Sequence, residues 1–590
     1  MIRTAPLLLL SLTLCLTLLA DDASLRRQRL NDLIAEEWKT ELRLQPELAT
    51  FLGERGYDDK LSDLSVAGNR AAAAQRREFL KRLDAIDTAG LSEQDQLNKE
   101  LLRWNLEDAL AGYEFREYEL PIDQFNGYHL LPAMLVAVTP FQTRGDYENY
   151  LSRLHAVPRA FQTMIDAARA GKEDGRMPPK FLLEAVIRQA TALAVRGEDS
   201  PFAQPVAKFP DAIPAAEQKR LRADVLAAID TEVVPAYRGF AAFVKDEYAT
   251  GGRTQDGIWS LPKGDEYYRL LVRRATTTDL DPDRIYEIGL KQVAEIEAAM
   301  TALAKQLGYA DLAAFQAAVR SDRKQYATSR EQILDLYRKY TDEMYGKVGQ
   351  LFGHLPKARL SVRPVEEFRE KEAATQYFPG SADGSRTGQI VVNTGDFEHR
   401  TLYDIESTAY HEGIPGHHFQ VSLAQELTGL PAFRRSSVNY TAFVEGWGLY
   451  AERLGKDAGL YQDPYSEYGR LSNEMLRAIR LVVDTGVHKK HWTRQQMVDY
   501  FHAHSTENEP SIQAEVDRYI VMPGQALAYK IGQLKIIELR DRARSELGPK
   551  FDIRAFHDRL LGDGALPLDI LERRMNAWMQ AQKPAAAQVN

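Results

Sequence analysis

The chain has 590 residues, with 75 Lys and Arg against 84 Asp and Glu and a formal net charge of −9 at neutral pH. These charges are spread without long blocks of one sign, which argues against a nucleic-acid-binding surface. The single cysteine, Cys15, lies close to the N-terminus, so the body of the protein has neither a disulfide framework nor a thiol nucleophile.

The first twenty residues have the pattern of a secretory leader. A basic start at Arg3 is followed by an apolar run over residues 5–19, and Ala20 precedes two aspartates. This pattern predicts cleavage after Ala20 and a periplasmic or secreted protein. The apolar run is shorter than the roughly twenty residues that span a bilayer, so we expect no stable membrane span once the leader is removed. An uncleaved anchor is the alternative.

Long amphipathic patterns follow the leader. They carry apolar residues at three- and four-residue spacing and predict helices over residues 25–44, 95–110, 146–170, 215–248 with a break near Pro235, 283–307 and 329–351. Two β-branched segments bounded by turn residues, 358–364 and 388–393, are the predicted strands. No Pro/Gly/Ser-rich linker interrupts residues 21–590. We therefore predict one mainly α unit, with an N-terminal helical part at 21–280 and a second part at 281–590.

The most informative stretch covers residues 411–418, with the sequence HEGIPGHH. Neutral imidazoles bind zinc, and a carboxylate beside the first histidine can take a proton from a water that the metal activates. In the common His-Glu-x-x-His helix the second histidine stands four residues after the first, but Pro415 occupies that position. The second ligand is then His417 or His418. Six helical residues span about 9 Å, so we expect a bulge at Pro415 to shorten the distance.

A third ligand is expected on a following helix. Glu445 lies in an apolar and aromatic run, where a carboxylate is costly to bury unless it is paired or binds a metal. Glu452 follows seven residues later on the same helical face and can hold a ligand histidine from behind. The alternatives are a helix-start carboxylate for Glu445 and a solvated ion pair with Arg453 for Glu452.

Three segments, 411–418, 445–452 and 523–530, resemble the bacterial family known as domain of unknown function 885. That family is similar to the gluzincin metallopeptidases, which include thermolysin, the thimet-type oligopeptidases and angiotensin-converting enzyme. The resemblance implies a large two-lobed helical body with a small β-sheet beside the zinc helix. It also implies a Zn²⁺ cofactor and an edge strand at 389–393 that pairs with an extended peptide substrate. In this alignment the zinc ligands are His411, His417 and Glu445, with His418 as the competitor, and Glu412 is the general base.

Downstream polar residues are candidates for the rest of the site. Tyr and His donors are expected to stabilise the oxyanion that forms in peptide hydrolysis, and His488 and Tyr519 are our preferred pair. Arg518 and Lys530, with the neighbouring Tyr529, are candidates to bind the substrate and hold its terminal carboxylate. Each has a structural alternative: a helix cap for His488, a half-buried helix face for Tyr519, and ion pairs for the two bases.

These features together predict a zinc-dependent, exported peptidase whose partner is a short peptide substrate. The active part is residues 281–590, which hold all three motifs. Two other functions stay open. One is a zinc amidohydrolase acting on cell-wall peptides or another amide, and the other is a non-catalytic peptide-binding protein with the same fold.

Overall fold

The computed structural model describes residues 7–365, 367, 370, 374–380, 386–435 and 440–583, and of residues 7–21 only the backbone. The start of the predicted leader therefore lies outside the described residues, and residues 7–20 enter only as the beginning of the first helix. None of the helices in the described part of the chain combines the length and apolar character that crossing a membrane requires. The chain divides into two compact units, one reaching to Arg253 and including residues 431–433, the other formed by the remainder.

All regular secondary-structure elements that the structure describes in the first unit are helices. Its helices are α1 (Leu7–Leu44), α2 (Pro46–Leu52), α3 (Val66–Asp84), α4 (Glu93–Glu114), α5 (Leu131–Val138), α6 (Arg144–Glu173), α7 (Lys180–Leu193), α8 (Gln204–Ala207), α9 (Ala215–Ala228) and α10 (Val234–Phe243). A core cluster of this unit is rich in aromatic side chains from α6 and α10, such as Phe161, Tyr237 and Phe240. The predicted helices at 25–44, 95–110 and 146–170 are confirmed as parts of α1, α4 and α6.

The predicted break near Pro235 takes a different form. The chain stays helical through this region, with a π-helical turn at Ile229–Val233 between α9 and α10 and another at Val244–Tyr248. Proline lacks a backbone N–H and crowds the preceding turn, and a wider turn accommodates both effects. The sequence pattern thus located the irregularity but not its kind.

The described residues of the second unit form further helices and three strands. They are α11 (Gly264–Thr276), α12 (Pro282–Gln306), α13 (Leu312–Ser321), α14 (Arg330–Tyr345), β1 (Leu360–Pro364), β2 (Gln376–Phe378), β3 (Gly388–Val392), α15 (Ile405–Glu412), α16 (His417–Glu426), α17 (Ala432–Arg435, partly in the first unit), α18 (Thr441–Asp457), α19 (Pro464–Lys489), α20 (Arg494–His504), α21 (Glu509–Val521), α22 (Leu527–Leu547), α23 (Ile553–Leu561) and α24 (Leu568–Gln582). The predicted helices at 283–307 and 329–351 correspond to α12 and α14, and the predicted strands to β1 and β3. The mainly α fold class is therefore confirmed.

The three strands form one small sheet in the order β1-β3-β2. β3 pairs in parallel with β1 and antiparallel with β2, so that Ile390 stands opposite both Val362 and Tyr377. On one face, Ile390 and Val392 share a core cluster with Ile405 and Ala409 of α15. This packing fixes α15, and with it His411, against the sheet.

Candidate metal centre

The histidine segment is built from two short helices. α15 ends at Glu412 and α16 begins at His417, so the bulge that we predicted within one helix is instead a break between two helices. The indole N–H of Trp447 donates to the Pro415 carbonyl at 2.8 Å and holds the connecting turn. A Cβ at Gly416 would lie 1.9 Å from the His411 carbonyl oxygen, so only glycine fits there. The break brings the His417 ring to 4.7 Å from the His411 ring, at an interplanar angle of 88°.

Two histidines and one carboxylate converge at this break. Glu445 Oε2 lies 3.5 Å from His411 Nε2 and 3.3 Å from His417 Nε2. One ligand atom from each of the three residues lies within 4.8 Å of the others, and among the described residues no other such group of His, Cys, Asp or Glu occurs. Ligand atoms of a tetrahedral zinc ion with bonds of about 2.0–2.1 Å are about 3.3–3.4 Å apart. Donor type and spacing therefore both fit Zn²⁺.

Close approach of α18 makes this convergence possible. A Cβ at Gly448 would lie 2.8 Å from His411 Nε2 and 3.1 Å from His417 Cε1. Glycine at this position lets the backbone of α18 pass beside both rings, and Glu445 stands one turn earlier on the same helix. The charges of the two histidines stabilise the ionised form of Glu445. Burial raises the pKa of Glu445, but the adjacent His417 and His411 outweigh it and hold the pKa well below its usual range.

His418 lies outside this group. Its side chain is buried, with Nε2 3.2 Å from the Ala358 carbonyl and Nδ1 3.2 Å from the Tyr377 hydroxyl. Burial lowers the pKa of His418 to about 4, and the neutral ring donates from Nε2 to Ala358 and accepts from Tyr377 at Nδ1. Of the two histidines that the sequence left open, the structure brings His417 to the cluster and gives His418 other partners.

The predicted contact of Glu452 with a ligand histidine is present. Glu452 is 1% exposed, and its Oε1 lies 2.8 Å from His411 Nδ1. This hydrogen bond places the ring proton on Nδ1 and directs Nε2 towards Glu445. Burial lowers the pKa of His411, but its hydrogen bonds to Glu445 and Glu452 outweigh that effect and raise it to about 9. Sequence reasoning missed Arg477 of α19, whose Nη2 lies 3.6 Å from the same Glu452 oxygen.

The candidate general base, Glu412, lies beside the sheet. Its side chain is partly exposed, and its Oε2 accepts a hydrogen bond of 2.8 Å from the backbone N–H of Tyr377 in β2. This geometry corrects the prediction that 389–393 forms an edge strand, because β3 is paired on both sides. The outer strand on this side is β2, a strand of three residues whose length gave no periodicity to detect.

The polar side-chain atoms of His488 and Tyr519 are bound by other groups of the protein. His488 is fully buried; its Nδ1 accepts from the Ile258 N–H at 3.0 Å, and its Nε2 donates to the Tyr519 carbonyl at 2.9 Å. The Tyr519 hydroxyl is bound by Glu515 and by Arg480 Nε, the latter at 2.8 Å. Because both ring nitrogens of His488 and the Tyr519 hydroxyl already have partners in the protein, this placement speaks against their predicted oxyanion role.

The three candidate substrate-binding residues separate into two groups. Lys530 is 1% exposed and donates to Glu474 at 2.6 Å and Gln533 at 2.8 Å, so it is part of a buried ion pair and not an accessible anchor. Arg518 and Tyr529 belong to a second group centred on Arg480, which the sequence did not single out. The Tyr529 ring lies 4.6 Å from the Arg480 guanidinium carbon, and the Tyr529 hydroxyl 3.5 Å from Arg518 Nη2.

Comparison with known proteins gives a family and a fold without an activity. The model of a family of bacterial proteins of unknown function, DUF885, matches residues 46–575. A crystal structure of a candidate lipoprotein from Colwellia psychrerythraea is similar over 94% of this chain and 99% of its own, with 27% identity and a TM-score of 0.90. A candidate lipoprotein of unknown function from Shewanella oneidensis matches 93% of this chain and 99% of its own, with 17% identity and a TM-score of 0.70. No curated protein matches.

Proposed function

The chain belongs to the bacterial DUF885 family, and we propose that it is a zinc-dependent peptidase that hydrolyses short peptides. One observation carries the proposal: His411, His417 and Glu445 offer ligand atoms within 4.8 Å of one another, and Glu412 directly follows the first of them. The likeness of this family to the gluzincin metallopeptidases, expected from the sequence, supports the same reaction. In that reading Zn²⁺ is the cofactor and a peptide is the substrate.

The chain's own residues divide the work between holding the metal and moving a proton. His411, His417 and Glu445 would hold the ion, with Glu452 fixing the orientation of the His411 ring. When bound, zinc would polarise the scissile carbonyl and lower the pKa of the attacking water. Glu412 takes the proton of that water and passes it to the leaving amine. The N–H of Tyr377 holds the Glu412 carboxylate in place beforehand.

The sheet supplies a place for the substrate backbone in this proposal. Tyr377 directs its N–H to Glu412 and not to β3, so this donor lies on the outer side of β2. An extended peptide that adds to this side would lie beside the general base. The edge-strand role that the sequence assigned to β3 thus passes to β2.

Export is part of the proposal. The leader pattern at residues 1–20 predicts it, and the similar protein from Colwellia psychrerythraea is described as a candidate lipoprotein. Both point to an envelope or secreted location. N-terminal sequencing of protein from an exporting host is expected to begin near Asp21, and intact Met1 in a soluble cytoplasmic fraction would contradict it.

The proposal is tested by metal analysis together with peptide digestion. We expect about one zinc per purified wild-type chain, and cleavage of a mixture of short peptides that stops with a chelator and returns with added zinc. His417→Ala should lose the metal, whereas the matched variant His418→Ala should keep it. Activity that survives complete metal removal would refute the mechanism. Cleavage of muropeptides in place of the peptide mixture would replace the substrate class with a cell-wall amide.

A further inference from the structure

A buried group of charged and aromatic side chains surrounds Arg480 of α19. We call it the Arg480 cluster and define it as Arg480, Glu515, Arg518, Tyr519 and Tyr529. Arg480 Nη2 donates to Glu515 Oε2 at 2.9 Å, and its Nε donates to the Tyr519 hydroxyl at 2.8 Å. Its side chain is only 6% exposed, yet Nη1 has no hydrogen-bond partner. A buried guanidinium N–H without an acceptor is costly, and a ligand that supplies one removes that cost.

Arg470 on the same helix shows what a fully paired arginine looks like in this protein. It is 8% exposed, much like Arg480. Its Nε and Nη2 both donate to Glu467 at 2.9 Å, and its Nη1 donates to Glu474 at 2.7 Å. All three of its nitrogens therefore have carboxylate acceptors, whereas Arg480 has one carboxylate and one hydroxyl. The difference lies in the supply of acceptors and not in burial.

A second guanidinium draws on the same carboxylate. Arg518 Nη1 lies 3.4 Å from Glu515 Oε1, so Glu515 serves both arginines. Arg518 Nη2 donates to Gln525 at 2.7 Å, which links the cluster to the family segment 523–530. Two guanidiniums around one carboxylate favour a further anion.

Other charged groups lie near Arg480. The charges of Arg480, Arg477 and Asp404 all act on Glu507. Burial and the charges of Asp404 and Glu515 raise the pKa of Glu507, and Arg477 and Arg480 oppose that shift. Glu507 is exposed to solvent, and none of these groups gives Arg480 Nη1 a hydrogen-bond acceptor.

Position along α19 connects the Arg480 cluster to the metal centre. Arg477 contacts Glu452, which is hydrogen-bonded to His411. Arg480 follows three residues later, about 4.5 Å further along the helix axis. On the other side of Arg477, Asn473 donates to Ser407 of α15 at 2.7 Å. One face of α19 therefore runs from the helix that carries His411 to Arg480.

We propose that Arg480, assisted by Arg518, binds the free terminal carboxylate of the substrate, with Arg480 Nη1 as a donor that this carboxylate completes. The proposal rests on the peptidase function proposed above and narrows its substrates to short peptides with a free C-terminus. A guanidinium presents planar N–H groups that match a carboxylate, which a lysine ammonium does not. The anchor is thus placed on α19, and the buried Lys530 is not part of it.

The binding test uses the Glu412→Gln protein loaded with zinc, so that probes are bound without turnover. The probes are N-acetyl-dialanine as the free acid and as the C-terminal amide, measured by calorimetry. We expect the acid to bind about 10- to 100-fold more tightly, the range for a hydrogen-bonded charge. Adding Arg480→Lys should abolish most of this preference for the acid. Adding Arg518→Lys, at a more exposed residue, should reduce the preference by a smaller factor. Arg470→Lys is the matched control and should leave the ratio unchanged.

The outcomes separate this proposal from the peptidase function. Equal binding of acid and amide, or no binding of the acid, would overturn the carboxylate site. An acid-to-amide ratio that survives both Arg480→Lys and Arg518→Lys would overturn it as well. Hydrolysis by the wild type is measured in parallel on free and amidated peptides. Acid-selective binding without any hydrolysis would support the carboxylate site and refute the peptidase function. Hydrolysis with no preference for the free acid would support the peptidase function and refute the carboxylate site.

Discussion

Histidines in two regions of the second unit have opposite hydrogen-bonding patterns. Beside α18, the Nε2 atoms of His411 and His417 both face the Glu445 carboxylate. At the end of α19, His488 has a backbone partner at each ring nitrogen, the N–H of Ile258 and the carbonyl of Tyr519. His411 and His488 are both buried, and both lie in segments that the sequence singled out as candidates for the site. The partners of the ring nitrogens, and not burial or position in a motif, therefore distinguish the two candidate ligand histidines from a structural one.

The largest expected effect is the loss of peptide hydrolysis on changing Glu412, which directly follows His411 in the first region. Glu412→Gln keeps a similar shape and can still accept the Tyr377 N–H, but its amide cannot take up a proton. We expect peptide hydrolysis to fall by about 100- to 10,000-fold with zinc content unchanged. Steady-state rates and metal analysis on the same preparation provide the measurement. The exposed Glu398→Gln is the control and should keep full activity. A Glu412→Gln protein with normal zinc and normal rates would remove the general base from the proposal.

The next effect is a loss of stability on changing Lys530, whose ammonium group already has hydrogen-bond partners in the protein. Lys530→Met leaves the partly buried Glu474 without one of its partners, although Glu474 keeps a contact of 2.7 Å with Arg470. We expect a loss of about 3 kcal/mol in the free energy of unfolding, the lower end for a broken buried ion pair. The ratio of binding to acid and amide probes should not change. Lys456→Met, which breaks an exposed pair with Glu467, should cost less than about 1 kcal/mol. A lost acid preference in Lys530→Met would restore Lys530 as the anchor.

The sequence predicted those features that depend on residues close to one another along the chain. The apolar periodicity located the long helices, and the seven-residue spacing from Glu445 to Glu452 placed both on the face that meets His411. The break before His417 needed the positions of Trp447 and α18, which only the folded chain supplies. Arg477 and Arg480 were missed because their partners come from α18, α21 and α22, far away in sequence. The partners of His488 could not be predicted for the same reason, since its acceptor and donor are backbone groups that no motif shows.

A smaller effect is expected at Glu452, which contacts the candidate ligand His411. Glu452→Gln keeps an acceptor for the Nδ1 proton of His411 but removes the charge that favours it. We expect metal affinity to fall by about 10- to 100-fold, as is typical for a partner of a ligand histidine. Competition with a chelator of known affinity measures this. Glu426→Gln on α16, whose carboxylate accepts from the Lys357 N–H at 2.6 Å, should leave the affinity unchanged. Unaltered affinity in Glu452→Gln would make that contact a packing feature alone.

The smallest expected effect tests a structural histidine with both nitrogens satisfied. His557 is fully buried; its Nδ1 donates to the Leu351 carbonyl at 2.9 Å, and its Nε2 accepts from the Tyr450 hydroxyl at 2.8 Å. Burial lowers the pKa of His557 to about 4 from 6.5, although the Leu351 carbonyl opposes the shift. Between these values the unfolded chain binds a proton that the folded chain excludes. The contribution to stability is therefore complete above pH 6.5 and is lost as the pH falls towards 4.

From pH 8 to pH 5 this residue alone should lower the free energy of unfolding by about 2 kcal/mol. Urea unfolding of metal-free protein at both pH values measures the change without interference from zinc release at His411 and His417. His557→Gln should be less stable at pH 8, because the amide cannot reproduce both hydrogen bonds, but its loss between the two pH values should be about 2 kcal/mol smaller. The exposed His399→Gln should retain the wild-type loss. The same pH dependence in His557→Gln and wild type would show that two satisfied ring nitrogens do not keep a buried histidine neutral. It would also weaken the difference between His488 and the candidate metal ligands.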